Sequence, residues 1–146
     1  SAAMIFNGVM ADRTERPLAQ CVASIIVGGL AFIALSFPIY NNAPLVIAAF
    51  AFALAGAYGA IPVFWQMPNK LFAGTAAAAG IAIINSFGNL GGFLAPYGLG
   101  LLKSETGSVS VGLLTVGGLG LLAAALLVLI VHRFMSAETK AVPAEV

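Results

Sequence analysis

PLAQCVASIIVGGLAFIALSFPIYNNAPLVIAAFAFALAGAYGAIPVFWQMPNK, residues 17–70, carries no charged side chain before its last residue. A bilayer core of roughly 30 Å is crossed by about twenty apolar residues in a helix. This stretch is too long for one crossing and has to turn back once. Its only strong breaker is Phe37-Pro38-Ile39-Tyr40-Asn41-Asn42-Ala43-Pro44, which joins two prolines, two asparagines and an interfacial aromatic. The reading is a pair of membrane helices, near 18–37 and 45–66. Met67-Pro68-Asn69-Lys70 is expected to close the second, because proline disfavours helix in the residue before it and Lys70 seeks water.

The same reading extends in both directions. No charge falls between Lys70 and Lys103, or between Glu105 and His132. The apolar run 71–102 would be about 48 Å long as a straight helix, beyond one bilayer core. Pro96, Gly98 and Gly100 predict that it kinks or ends near the far surface, giving a third span near 71–100. Lys103-Ser104-Glu105-Thr106-Gly107-Ser108 is the next polar turn, and a fourth span follows near 110–131, ended by His132-Arg133. A four-helix region thus covers 18–135, and 136–146 reads as a polar, disordered tail containing Pro143. Residues 1–11 are apolar but would make only about 16 Å of helix, half a bilayer. With no basic segment and small-residue cleavage site they do not form a signal peptide. They are expected to be the end of a truncated transmembrane helix, followed by a loop at 12–17.

Composition excludes other classes. Apolar residues make up 61% of the 146 and charged residues 8%, where a soluble domain carries about a quarter charged. The net charge of +1 and the absence of a basic run argue against nucleic acid as a partner. Cys21 is the only cysteine, so an internal disulfide and a cysteine metal cluster are both ruled out. It reads as a small apolar side chain inside a helix. The fold class is all-α, a polytopic helical membrane protein with the lipid bilayer as its solvent.

Charge sets the expected orientation. With both ends in the cytoplasm, inner segments hold Arg13, Arg16, Lys70, Arg133 and Lys140, while outer turns hold Lys103 alone. The positive-inside rule favours that arrangement. The expected location is the inner (plasma) membrane, with turns 38–44 and 103–108 facing outward.

Gly8-Val9-Met10-Ala11-Asp12-Arg13-Thr14-Glu15-Arg16 has the form G-x-x-x-D-R-x-x-R between two membrane helices. Gly8 permits close helix approach, Asp12 can meet a helix N-terminus or a basic partner, and Arg13 and Arg16 hold the loop at the headgroups. The spacing resembles the cytoplasmic loop signature of the major facilitator superfamily. A second block is more specific: Pro62-Val63-Phe64-Trp65-Gln66-Met67-Pro68, then Gly74-Thr75-Ala76-Ala77-Ala78-Ala79-Gly80, then Asn85-Ser86-Phe87-Gly88-Asn89-Leu90-Gly91-Gly92-Phe93 and Pro96-Tyr97. It resembles the anion:cation symporter family of that superfamily, which includes phthalate and tartrate permeases. The resemblance covers nearly all of the chain. It implies four transmembrane helices plus a partial N-terminal helix, part of the C-terminal half of a major facilitator fold. It further implies symport of a small organic anion with a proton or sodium ion, and a missing N-terminal part as the structural partner. No cofactor is implied.

Four residues are candidates for substrate contact. Asn85 falls about 20 Å into the third span, near mid-membrane, where an amide cannot be left facing lipid. Asn89 is one turn on, and the two would form a polar stripe. Tyr58 lies within the second span, where its hydroxyl needs a partner, and Trp65 lies near the span's end, as an aromatic-belt anchor or a gate. Gly88 and Gly92, like Gly56 and Ala60, have the small-residue spacing at which membrane helices touch. No acid, base or histidine falls inside the four spans, so a coupling carboxylate and a cationic anchor have to lie elsewhere. No nucleophile–base pair or metal-ligand cluster points to an enzyme. Two other readings stay open: a structural subunit of a membrane complex, and a small four-helix exporter acting as a dimer.

Overall fold

The computed structural model describes residues 2–14, 16–38, 42–71 and 74–141, with the side chains of 67–71, 74–77 and 134–141 left out of the description. The described residues form five helices: α1 Ala2–Thr14, α2 Pro17–Ser36, α3 Ala43–Leu71, α4 Gly74–Thr106 and α5 Val109–Ala141. Four of them are long and apolar enough to cross a membrane. Among the described residues thirty large apolar side chains face outward, including Ile47, Phe52, Phe87 and Phe93. That outer surface suits acyl chains, and the chain is a multi-pass helical membrane protein.

Local chemistry sets the helix ends. Pro17 occupies the first turn of α2, where its missing N–H costs nothing and its fixed φ is already helical. Phe37 leaves the helix in an extended conformation, and its N–H closes on the Ala34 carbonyl at 3.2 Å. Asn42 caps α3, its Oδ1 accepting from the Leu45 N–H at 3.2 Å. The rest of that turn, Ile39 to Asn41, lies outside the described residues. Between α4 and α5, Gly107 adopts φ 67° and donates its N–H to the Lys103 carbonyl at 2.9 Å. This is the left-handed helix stop that glycine enters without a Cβ penalty.

Several helices outrun the extents expected from the sequence. The third does not end at Pro68, since its backbone is helical to Leu71, and the fourth passes through Pro96 to Thr106. A proline removes one hydrogen bond to the preceding turn, and in a membrane helix the bonds on either side hold the turn together. α1 runs on through Asp12, Arg13 and Thr14, so these three residues of the expected loop are helical, and Glu15 lies outside the described residues. α5 stays helical to Ala141, inside the stretch read as a tail. Residues 134–141 contain neither proline nor glycine, which leaves helix as their default. Residues 142–146, with Pro143, lie outside the described residues.

α2 is the central element, packed along both α3 and α5, while α1 lies against α3. Two glycine crossings bring it this close. A Cβ on Gly56 of α3 would fall 2.6 Å from the Gly28 Cα and the Ser24 carbonyl oxygen of α2. A Cβ on Gly117 of α5 would fall 2.6 Å from the Gly29 carbonyl oxygen and Ile33 Cγ1. Bare backbone at these points lets dispersion and backbone contacts act where no water-driven force exists. Ala11, Cys21, Ala60 and Val63 form one buried cluster, and Ala31, Leu35 and Ala53 the other. α4 stands apart. It touches α5 and α3 lightly, and no residue of its span from Ala78 to Thr106 is buried.

Candidate functional site

Where α4 leans past α2 and α3 it leaves a cavity of roughly 310 Å³. α2 contributes Cys21 and Ile25, α3 contributes Ala60, Ile61, Phe64 and Trp65, and α4 contributes Ile84, Asn85 and Gly88. The Phe64 and Trp65 rings meet edge to face, with centroids 5.6 Å apart and planes at 75°. Asn85 supplies the only side-chain amide in the lining. Among the described residues that amide has no hydrogen-bond partner, so its two donors and its acceptor are open to a guest. Cys21 is fully buried, with its thiol 3.9 Å from the Ala60 carbonyl.

Two of the four sequence candidates therefore share one cavity, Trp65 and Asn85. Tyr58 and Asn89 do not line it, and both are exposed, as Asn85 itself is. Helical geometry accounts for this. At about 100° per residue, the lining of α4 at Ile84, Asn85 and Gly88 centres on a direction from which Asn89 is turned by about 90°. The same arithmetic on Ala60, Ile61 and Phe64 turns Tyr58 away by a similar angle. Gly88 is the neighbour of Asn85 on this face, one turn on.

The loop motif is anchored differently from expectation. Asp12 Oδ1 accepts a hydrogen bond from Gln66 Nε2 at 3.1 Å, tying the end of α1 to the end of α3. Its partner is an amide, in place of a helix N-terminus or a base. A Cβ on Gly8 would meet nothing within 4 Å, so Gly8 makes no close helix contact among the described residues. Arg13 and Arg16 are exposed. Arg13 borders a shallow groove along the outer face of α1 with Ile5, Phe6 and Val9.

The sequence reading missed a polar node between α1, α2 and α3. The Asn7 amide nitrogen fills the place where a Gly59 Cβ would stand, and Ser24 Oγ is 3.7 Å from that point. Ser24 is 7% exposed, a polar group buried at mid-helix. The available signal was a single amide within an apolar stub and a glycine at matching depth on α3. Gln66 was the other omission.

No family model matches the chain, and no solved structure matches it. Named relatives do. The chain is 41% identical over 122 residues to a protein of Agrobacterium vitis named as a tartrate transporter, covering 84% of this chain and 26% of that protein. It is 44% identical over 79 residues to a quinolone resistance transporter of Acinetobacter baumannii, covering 54% of this chain and 17% of the relative. It is 42% identical over 80 residues to the inner membrane transport protein RhmT of Escherichia coli, covering 53% of this chain and 18% of the relative. The chain thus spans about a quarter or less of the length of these relatives, and all of them are named as transporters or transport proteins rather than as enzymes. The chain is a multi-pass helical membrane protein similar to bacterial membrane transport proteins.

Proposed function

We propose that the chain is part of the C-terminal half of a major facilitator transporter that carries small organic anions by symport with a proton or sodium ion. The observation that carries the reading is the similarity to a named tartrate transporter over 84% of the chain, which includes the Trp65–Asn85 cavity. In this reading Asn85 hydrogen-bonds a carboxylate or hydroxyl group of the passing substrate, and Trp65 closes the cavity at the end marked by the Asp12–Gln66 bond. Asn89 and Tyr58 face a second surface, where the remainder of the transporter packs or the substrate path continues. The cationic anchor for the anion and the coupling carboxylate lie outside these spans, because the cavity lining is uncharged. Both ends of the chain are cytoplasmic, in the inner membrane.

The test is uptake of labelled dicarboxylic acids by the complete transporter, with and without ionophores that collapse the proton or sodium gradient. Asn85→Ala is expected to raise KM about tenfold or abolish uptake at an unchanged membrane level. A lost hydrogen bond to a charged group is worth about 1.5–3 kcal/mol. Unchanged kinetics, or failure of the variant to accumulate, would leave Asn85 as a packing residue.

A further inference from the structure

A second, larger cavity lies at the other end of α4, toward the Gly107 turn, and takes no part in the site above. It encloses roughly 510 Å³ between α2, α4 and α5. That is within the range of about 300–1,000 Å³ typical of small-molecule sites. Phe32, Leu99, Leu113 and Val116 line its apolar walls, and Gly100 and Gly112 keep it open. Lys103 and Ser108 border the cleft at one end only, beside the helix-ending turn, and the surface inside is almost wholly apolar. From Lys103 to Ala95 the lining runs eight residues along α4, about 12 Å, close to the depth of one leaflet's acyl region.

We infer that this cleft is a phospholipid site, with one acyl chain between α4 and α5 and an anionic headgroup on Lys103. Charge complementarity selects this occupant. Lys103 makes no ion pair among the described residues, and it stands where a membrane helix meets the headgroup layer. The nearby carboxylate, Glu105, is exposed and outside the lining, and among the described residues it makes no ion pair with Lys103 at the mouth of the cleft. A water-soluble organic anion would meet a charge but no hydrogen-bonding wall beneath it. An acyl chain meets the apolar wall that it needs, and its phosphate meets the cation. The light packing of α4 on α5 leaves room for the chain without displacing a buried contact. The inference requires only the membrane location, and it survives if the transport reading fails.

The experiment is native mass spectrometry of the complete protein released from detergent and titrated with phosphatidylglycerol, with phosphatidylcholine as the zwitterionic comparator. One retained phosphatidylglycerol per protein is expected, held more tightly than phosphatidylcholine. Lys103→Ala should weaken it about fivefold, the effect of one basic residue at an anionic lipid surface, and Lys103→Arg should restore it. Gly112→Leu should abolish the adduct, since a Cβ there already meets Leu99 Cδ2 at 3.1 Å and a larger side chain fills the cleft. Arg133→Ala, at the opposite end of α5, should leave binding unchanged. Equal retention by wild type and Lys103→Ala would overturn the site, as would equal retention of the two lipids. A dimer that Gly112→Leu dissociates would overturn it too, by showing a second copy in the cleft. If Gly112→Leu does not fold, the Lys103 pair decides alone.

Discussion

Replacing Gly56 by alanine adds one methyl group at the crossing of α2 and α3, and the structure fixes what that methyl meets. Its carbon would stand 2.6 Å from the Gly28 Cα and from the Ser24 carbonyl oxygen, closest of all to the Gly28 nitrogen. Every one of these atoms is backbone, so no side chain can rotate aside. Contact distances between such atoms are about 3.5–4.0 Å, so α2 and α3 have to part by roughly 1 Å. Overpacking of this kind costs about 1–3 kcal/mol, and a rigid backbone neighbour argues for the upper end. Alanine's better helix propensity returns up to about 1 kcal/mol. The net loss is about 2 kcal/mol, close to thirtyfold in the unfolding constant. Gly118→Ala is the internal control, because a Cβ at Gly118 on α5 meets nothing within 4 Å. Unfolding of the complete protein in mixed micelles, followed by circular dichroism against added dodecyl sulfate, measures both variants. Equal stability of Gly56→Ala and wild type would refute the crossing, and so would equal losses in the two variants.

The remaining predictions concern the ends and the whole. Asp12→Asn and Gln66→Ala should each destabilise by no more than about 1 kcal/mol, because the bond they share is solvent-exposed. A double-mutant cycle on the same unfolding assay should show coupling, and strict additivity would argue that the bond contributes nothing. Cysteines placed at Asn42 and Ala137 should react with a membrane-impermeant maleimide from opposite faces, while fully buried Cys21 stays unlabelled until the protein is unfolded. Labelling of both new sites from one face would overturn the orientation proposed. On the proposed reading the chain by itself, reconstituted in vesicles, should show no gradient-driven uptake, because a major facilitator transporter places its substrate between two rocking halves. Uptake of any organic acid by it alone would contradict that.

The membrane helices were legible because hydropathy sums over twenty residues and overwhelms any local preference. Their stops were legible only where a residue itself caps or redirects the chain end. Asn42 caps α3 with its side chain, and Gly107 takes a left-handed φ, so both ends could be anticipated. Pro68 and Pro96 act by subtracting a single bond, and the surrounding helix absorbs that loss. The candidate site was readable to the level of which helices carry polar groups at which depth. Rotation about the helix axis was the missing quantity. Asn85 and Asn89 are equally polar, one turn apart and both exposed, yet only Asn85, with Gly88, borders the cavity. Only the packing of α4 against its neighbours sets that angle. Asn7 and Gly59 escaped notice for a related reason, since their meeting is a contact between α1 and α3 that no single-helix pattern encodes.

Gly107 joins two long helices through a connection of two residues, Gly107 and Ser108, and it is the one glycine with a positive φ among those described. α4 is otherwise held by light contacts, a rod tied to α3 at its start and to α5 by the Gly107 joint. Asn85 lies twenty-two residues from that fastening, about 33 Å along the rod. A tilt of about 10° at the Gly107 joint would sweep the Asn85 amide through about 6 Å, more than half the usual 8–10 Å between packed helix axes. The residues nearest the joint would hardly move over the same arc. A small change of angle at that joint would thus be felt most toward the cavity that Asn85 and Trp65 share, within the play that the tie to α3 leaves.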